Sequence, residues 1–129
     1  MKFRIASIED VDRCFQLSKE ENVTYWTKED FTNGIKNTSA ILLVAEVDSF
    51  IVGYISGYIV PTKYDEAMIH ESKVDLKFRG QKLGTKLVDE FCKEACKKGV
   101  KTIYALIDSK VRPFYIDSCN FKETGNWIE

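Results

Sequence analysis

Apolar residues recur along the chain with two different periods, and the period predicts the type of each element. Six segments show the alternation, or the β-branched and aromatic content, that is typical of strands. These predicted strands are residues 2–6, 40–47, 50–60, 67–76, 102–107 and 120–128. Asp48 and Ser49 separate the second strand from the third, so we predict a hairpin turn there.

Helical spacing or helix boundary signals mark four other segments. These predicted helices are residues 8–21, 27–35, 83–98 and 109–118. Ser7 and Thr27 each stand three residues before an aspartate, which is the spacing of a capping box. The third helix has the strongest pattern, because its apolar residues share one face and Gly99 follows it as a stop signal.

The order of these elements, β-α-α-β-β-β-α-β-α-β, predicts a single α+β domain over residues 1–129. The consecutive strands in the middle of the chain should pair as antiparallel hairpins. The helix at 83–98 should connect two parallel strands by a right-handed crossover. We therefore expect a mixed sheet with helices on both faces.

Composition narrows the class of protein. The chain has 129 residues, 44% of them hydrophobic and 30% charged, which suits one globular domain. A net charge of −1 provides no global basic field, so we do not expect nucleic acid as a partner. No segment approaches the roughly 18 uncharged apolar residues of a membrane span, and residues 1–5 lack the apolar core of a signal peptide. We expect a cytoplasmic protein with no membrane partner.

The four cysteines are expected to be reduced thiols in that compartment. Cys92 and Cys96 are four residues apart on one helix face, a spacing that two metal ligands can have. Cys14 and Cys119 are remote in sequence, however, and no C-x-x-C pair occurs. We therefore expect small packed side chains and no metal site.

Residues 74–87 (VDLKFRGQKLGTKL) have the chemistry of an anion-binding loop. A strand ends, a short loop turns, and a helix begins with unpaired N–H groups and a partial positive charge. Gly80 and Gly84 let the backbone come close to a phosphate, and the basic side chains of the segment add positive charge. The spacing matches neither a Walker loop nor the dinucleotide G-x-G-x-x-G pattern. From spacing alone, an ordinary strand–loop–helix turn is equally compatible.

Residues 79–84, Arg-Gly-Gln-Lys-Leu-Gly, resemble the Q/R-x-x-G-x-G/A element of the GCN5-related N-acetyltransferase (GNAT) superfamily. Val74 falls where that family places the valine of its splayed strand. Phe114-Tyr115, followed by Asn120-Phe121, is similar to the family's F/L-Y and G-F pair. Lys82 takes the place of the family's middle glycine, and lysine disfavours positive φ. The order of elements matches across nearly the whole chain.

The resemblance implies a GNAT-like acyl-CoA N-acyltransferase fold, with a central mixed twisted sheet of six or seven strands and about four flanking helices. It implies an N-acetyltransferase that moves the acetyl group of acetyl-CoA to a primary amine, by direct attack on the thioester in a ternary complex. In the family the amides of the loop cradle the pyrophosphate of coenzyme A. The implied coenzyme-binding residues are Val74, Arg79, Gly80, Gln81, Lys82, Leu83, Gly84, Thr85 and Asp108.

Acetyl transfer needs a neutral amine, and an alkyl ammonium is neutral in only about 1 molecule in 10³ at pH 7. Glu71, on the strand face opposite Val74, is the first choice of base, directly or through a water. His70, which the strand period puts on the same face as Val74, is the second choice. We expect the Val74 N–H to bind the developing oxyanion and Tyr115 to protonate the leaving thiolate. The plain alternatives are a surface glutamate, a packed histidine, a core valine and a core tyrosine.

Two other functions stay open. One is a catalytically silent acyl-CoA-binding or partner-binding domain on the same fold. Asp108 in place of the family's asparagine, and the lack of an acid in residues 102–107, are compatible with it. The other is a small β-sheet interaction module without a coenzyme. The sequence does not identify the acceptor amine, and the residues expected in its groove are Tyr25, Trp26, Tyr58, Tyr64, Asp65 and Glu66.

A homodimer is also expected. Eight residues follow Phe121, where a GNAT-like domain has one more strand. An unpaired sheet edge exposes backbone N–H and C=O groups. A partner's residues 122–129 could pair there in a two-fold interface, whereas the alternative is a shorter sheet that the chain's own tail closes.

Overall fold

One mixed sheet organises the molecule. The computed structural model describes residues 1–20, 26–105 and 111–122. Within that part, the sheet has five strands in the order β1-β2-β3-β4-β5. They are β1 (Lys2–Ile5), β2 (Ala40–Val47), β3 (Phe50–Ile59), β4 (Glu66–Val74) and β5 (Thr102–Ala105). Strands β1 to β4 pair antiparallel, and β5 pairs with β4 in parallel.

Helices cover both faces of this sheet. The α-helices of the described residues are α1 (Val11–Lys19), α2 (Lys28–Lys36) and α3 (Leu83–Lys97). Shorter elements are the 3-10 turns Ile8–Asp10 and Leu76–Phe78 and the π-helical turn Phe114–Ser118. Among these helices, none combines the length and the apolar content that a membrane crossing requires.

The predicted α+β class, the antiparallel hairpins and the parallel β4–α3–β5 unit are confirmed. The expected strand number of six or seven is too high for the described residues, which form five. The predicted last strand, 120–128, falls almost entirely outside them, as does the tail that the predicted homodimer would use. Strand β4 ends at Val74 rather than at residue 76, because Asp75 caps the turn that follows.

Local signals explain where α1 and α2 begin. Thr27 and Asp30 form the predicted capping box, in which the Thr27 N–H donates to Asp30 Oδ2 at 2.8 Å and the Asp30 N–H donates to Thr27 Oγ1 at 3.2 Å. At the first helix the Ser7 N–H donates to Asp10 Oδ2 at 2.7 Å. The same carboxylate accepts two bonds from Arg4, which ties β1 to the start of α1.

The sheet separates two apolar cores. On the α3 face, the aliphatic and aromatic side chains of α3 pack on alternate residues of β2, β3 and β4, and this core includes Leu87, Phe91 and Tyr115. On the α1/α2 face, Tyr54 and Phe31 are the largest fully buried side chains. The two faces are therefore chemically distinct, and residues 70–74 of β4 contribute to both.

Gly57 in β3 allows α3 to lie close to the sheet. A Cβ at this position would overlap the carbonyl oxygen of Met68 and lie 2.6 Å from the Phe91 ring. Only a residue without a side chain fits between β4 and α3 there. This close approach lies next to the irregular part of β4 that forms the candidate site.

Candidate active site

Strand β4 contains a bulge in its middle. Ser56 of β3 pairs with Glu71, and the next residue, Gly57, pairs with Ile69. His70 is therefore an extra residue in β4 that has no paired residue on β3. The parallel pairing with β5 reaches Ile69 and stops there in the described residues. We call the edge of β4 at residues 70–74, on the side away from β3, the opening.

The Val74 N–H points into the opening. The Asp75 N–H donates to the Val52 carbonyl at 2.8 Å, which makes these two residues a hydrogen-bonded pair of the antiparallel ladder. Val74 and Gly53 are then the adjacent non-hydrogen-bonded pair, whose N–H and C=O groups face away from each other. The Val74 carbonyl accepts from Arg79 Nε at 3.1 Å. The predicted opening of the sheet beside Val74 involves residues 106–110, which lie outside the described residues.

The bulge also puts His70 and Glu71 on one face of the sheet. His70 stacks on Trp26, with ring centres 4.9 Å apart, and Trp26 packs against the α1/α2 core. Glu71 Oε2 accepts a hydrogen bond from the Tyr54 hydroxyl, in the same core, at 2.8 Å. Val74 packs on the α3 face. Glu71 is opposite Val74 as predicted, but the prediction that His70 shares Val74's face is wrong, because the bulge interrupts the strand period.

The loop after β4 is held at its start. The Asp75 carboxylate accepts the Lys77 N–H at 2.9 Å, which caps the turn Leu76–Phe78. Its other oxygen accepts from Arg13 Nη2 at 2.6 Å, and Arg13 Nε donates to the Ile51 carbonyl at 2.9 Å. The Lys77 N–H, and then the Arg13 guanidinium, hold the pKa of Asp75 below its ordinary value. Helix α1 thus fixes the beginning of the loop.

The end of the loop presents backbone donors. Helix α3 begins at Leu83, and the Lys86 N–H bonds to the Lys82 carbonyl at 3.1 Å. The N–H groups of Leu83, Gly84 and Thr85 precede that bond, so no turn of α3 uses them. Lys82 has a φ of 61°, in the left-handed region that glycine adopts more readily. Lysine there costs about 1 kcal/mol, yet the turn forms.

Tyr115 packs beside the start of α3. The Phe114 ring covers Gly84 so closely that a Cβ there would lie 3.2 Å from it. Tyr115 is buried, and its ring meets those of Phe114 and Phe121 edge-on, with centres 5.0 Å and 5.3 Å away. Burial raises the pKa of Tyr115 to about 12, so the hydroxyl keeps its proton at neutral pH. The structure therefore brings Tyr115 to the predicted coenzyme loop, on the α3 face.

These elements match a known family. A family model described as the acetyltransferase (GNAT) family matches residues 7–121. The chain belongs to this family. No curated protein sequence gives a significant match.

Solved structures share the GNAT fold of this chain at low sequence identity. An aminoglycoside acetyltransferase from an uncultured soil metagenomic sample, in complex with sisomicin, has a TM-score of 0.77 and 17% identity, over 99% of this chain and 92% of the other. Glucosamine-6-phosphate N-acetyltransferase from Arabidopsis thaliana has a TM-score of 0.75 and 24% identity, over 99% and 95%. A predicted acetyltransferase with acetyl-CoA from Clostridium acetobutylicum has a TM-score of 0.80 and 18% identity, over 99% and 94%.

Some of the other predicted GNAT site residues lie in the described part of the chain, and others do not. Asp108 and Tyr25 lie outside the described residues. Of the predicted acceptor-groove residues, Trp26 stacks on His70, whereas Tyr58 and Tyr64 are exposed by 42% and 80%. Within the described ranges, no group of three or more His, Cys, Asp or Glu side chains is arranged to hold a metal ion.

Sequence reasoning missed three residues that shape this GNAT site: Tyr54, Arg13 and Asp75. An aspartate at a strand end, two residues before a turn amide, is a usual capping signal and could have identified Asp75. Tyr54 and Arg13 gave no such signal, because their partners are 17 and 62 residues away in the chain. Their contacts depend on the register of β3 and β4, which the bulge sets.

Proposed function

We propose that this GNAT protein is an N-acetyltransferase that moves the acetyl group of acetyl-CoA to a primary amine by direct attack. One observation carries the proposal. The start of α3 at Leu83, the Val74 side chain and the Tyr115 ring belong to the core on one face of the sheet, and Glu71 is on the other face. A thioester held in the opening would be within reach from both faces.

The α3 side would bind the acyl donor. The amides of residues 81–85 would hold the pyrophosphate of acetyl-CoA, because a helix start combines unpaired N–H groups with a partial positive charge. Arg79, Lys82 and Lys86 add charge around this loop. The Val74 N–H would donate to the thioester oxygen as negative charge develops on it. Both interactions use backbone groups, so they depend on loop and strand geometry more than on side-chain identity.

The α1/α2 side would prepare the acceptor. Glu71 accepts a proton from the alkyl ammonium, either directly or through a water, and this frees the nitrogen lone pair. The nitrogen then bonds to the thioester carbonyl carbon while the carbon–sulfur bond breaks. The Tyr115 hydroxyl gives its proton to the leaving thiolate, and the proton that remains in excess on the product nitrogen passes to solvent. Tyr115 then recovers a proton from solvent, and Glu71 releases to solvent the proton that it took from the ammonium.

An acceptor screen tests the proposal. Purified protein and acetyl-CoA are incubated with a panel of primary amines, and release of the coenzyme thiol is measured. Two structural neighbours are named for an aminoglycoside and for glucosamine-6-phosphate, so both compounds belong in the panel with polyamines and peptide amines. We expect turnover with at least one amine and loss of most of it in Glu71→Gln.

Two other outcomes would point to other functions. Binding of acetyl-CoA without turnover of any amine would favour a catalytically silent acyl-CoA-binding domain. Saturating acetyl-CoA should raise the melting temperature, since a ligand at 100 times its dissociation constant adds about 2.7 kcal/mol to stability. No shift with acetyl-CoA or with longer acyl-CoAs would contradict coenzyme binding altogether.

A further inference from the structure

A hydrogen bond joins the buried Tyr54 side chain of β3 to Glu71 of β4 on the α1/α2 face. Its length is 2.8 Å, and the Tyr54 side chain that provides it is fully buried. Phe31 holds the Tyr54 ring edge-on, with ring centres 5.4 Å apart. In the ladder Tyr54 pairs with Lys73, and Ser56 with Glu71, so Tyr54 and Glu71 are diagonal neighbours on one face. The donor is therefore held rigidly against the carboxylate.

We propose that Tyr54 is a positioning residue for Glu71. Its hydroxyl fixes Oε2, which leaves Oε1 to take the proton of the acceptor amine. The inference rests on the proposed function, in which Glu71 is the base. It assigns a second residue, 17 positions earlier in the chain, to the acceptor half of the site.

Tyr54 is suited to this role because its proton stays in place. Burial, and then the charge of Glu71, raise the pKa of Tyr54. The phenol is therefore a permanent donor to the Glu71 carboxylate. Only one of the two carboxylate oxygens is engaged by Tyr54. A carboxylate fixed in this way has one oxygen for orientation and one for proton transfer.

Few other titratable groups surround Tyr54 in the described part of the chain. Helix α1 contributes the neutral Ser18 hydroxyl, which also hydrogen-bonds to Tyr54. It also contributes Cys14, and burial raises the pKa of that thiol to about 12, so it is neutral at working pH. On β4, Lys73 is the cross-strand partner and shares the face, and His70 lies one ring beyond, against Trp26. Helix α2 and strand β2 face Tyr54 with apolar side chains. Loss of the Tyr54 hydroxyl should thus remove one contact with a charged partner, Glu71, and one with the neutral Ser18 hydroxyl.

Tyr54→Phe tests the role, because it removes the hydroxyl and keeps the ring. We expect kcat to fall about tenfold while the KM for acetyl-CoA changes less than about twofold, since only the acceptor half loses an interaction. In a Glu71→Gln background, Tyr54→Phe should change kcat little.

Ile55→Val is the matched control. It shortens a buried side chain on the same strand but on the α3 face, and costs about 1 kcal/mol. If Tyr54→Phe lowered kcat no more than this control does, Tyr54 would have only a packing role and the inference would be overturned. Full activity of Glu71→Gln would instead overturn the assignment of Glu71 in the proposed function.

A measurement without turnover keeps the two apart. The carboxyl carbon of Glu71 can be observed by NMR at neutral pH, in protein with isotope-labelled glutamate and with Glu71→Gln for assignment. We expect its chemical shift to change in Tyr54→Phe, which removes the hydrogen bond to Oε2, and to stay the same in Ile55→Val. Equal chemical shifts in all three proteins would contradict the inference, whatever the acceptor screen shows.

Discussion

The two sides of the opening are built in different ways. On the α3 side, the candidate groups are backbone amides of Val74 and of the first turn of α3, together with one buried phenol. On the α1/α2 side they are side chains, His70 and Glu71, that long-range contacts hold in place. The first kind of site depends on local chain geometry, and the second on strand register. The difference implies that substitutions should affect the two sides separately.

The largest effect on stability should come from a substitution at Gly57, where α3 packs closely against the sheet. Gly57→Ala places a Cβ against the Met68 carbonyl and the Phe91 ring, so β4 or α3 must move. We expect a loss of about 3 kcal/mol in the free energy of unfolding, and a fall of about 10 °C in melting temperature. Gly34→Ala is the control, because its Cβ would meet only Trp26, at 3.9 Å, inside helix α2. That change should stabilise the protein by up to about 1 kcal/mol.

Equal melting temperatures for these two variants would contradict the close approach of α3 to β4. They can be compared by calorimetry at one pH. The comparison also bears on the site, since Gly57 is beside the bulge that turns His70 and Glu71 to one face.

Tyr115→Phe should lower the rate of acetyl transfer and leave the binding of acetyl-CoA on the α3 side nearly unchanged. Only the hydroxyl is lost, so the ring contacts with Phe114 and Phe121 should persist. We expect kcat to fall about 10²-fold under chemistry-limited conditions, as for loss of a general acid. Binding of acetyl-CoA, measured by calorimetry, should stay within about twofold. Turnover equal to that of the unmodified protein would remove Tyr115 from the mechanism.

Asp75→Asn should test the contact through which Arg13 of α1 holds the start of the loop after β4. Because the folded pKa of Asp75 is lowered, its contribution to stability is present above its ordinary pKa and is lost as the pH falls below about 4. We expect the variant to lose about 1–2 kcal/mol at pH 7 and to show a weaker dependence on pH at the acid end. Urea unfolding at pH 7 and at pH 3 measures both.

Asp12→Asn is the matched control for this change. Asp12 pairs with Lys28 at 3.1 Å, but its side chain is 84% exposed, so the change should cost less than about 0.5 kcal/mol. If the two variants had the same effect, the Arg13–Asp75 contact would not stabilise the start of the loop.

The smallest expected effect is at Lys82, where a lysine has positive φ. Lys82→Gly should relieve the strain and raise the free energy of unfolding by about 0.5 kcal/mol, after the entropy cost of glycine. Lys82→Ala removes the same charge without relieving the strain, so it should not stabilise. Thermal unfolding of both variants measures the difference. A stabilised alanine variant would mean that charge, and not backbone conformation, is the cause.

The same contrast explains what could be predicted from the sequence. The loop at 79–84, the start of α3 and the Phe114-Tyr115 element are local patterns, and the structure brings them together as expected. The face of His70 was predicted wrongly, because one extra residue in β4 changes the strand period and leaves no clear mark in the sequence. Tyr54 and Arg13 could not be identified for a related reason. The residues that they contact can be identified only when the register of β3 and β4 is known.

The most direct test of the two-sided site is NMR mapping with acetyl-CoA. In ¹⁵N-labelled protein, we expect the amide shifts of Val74 and of residues 81–85 to change most when acetyl-CoA is added. The β1 strand, which is the edge of the described sheet away from the opening, should change least. If the protein stays folded and these amides do not respond, or if the changes cluster on β1 and β2, the assignment of the opening as the acetyl-CoA site is contradicted.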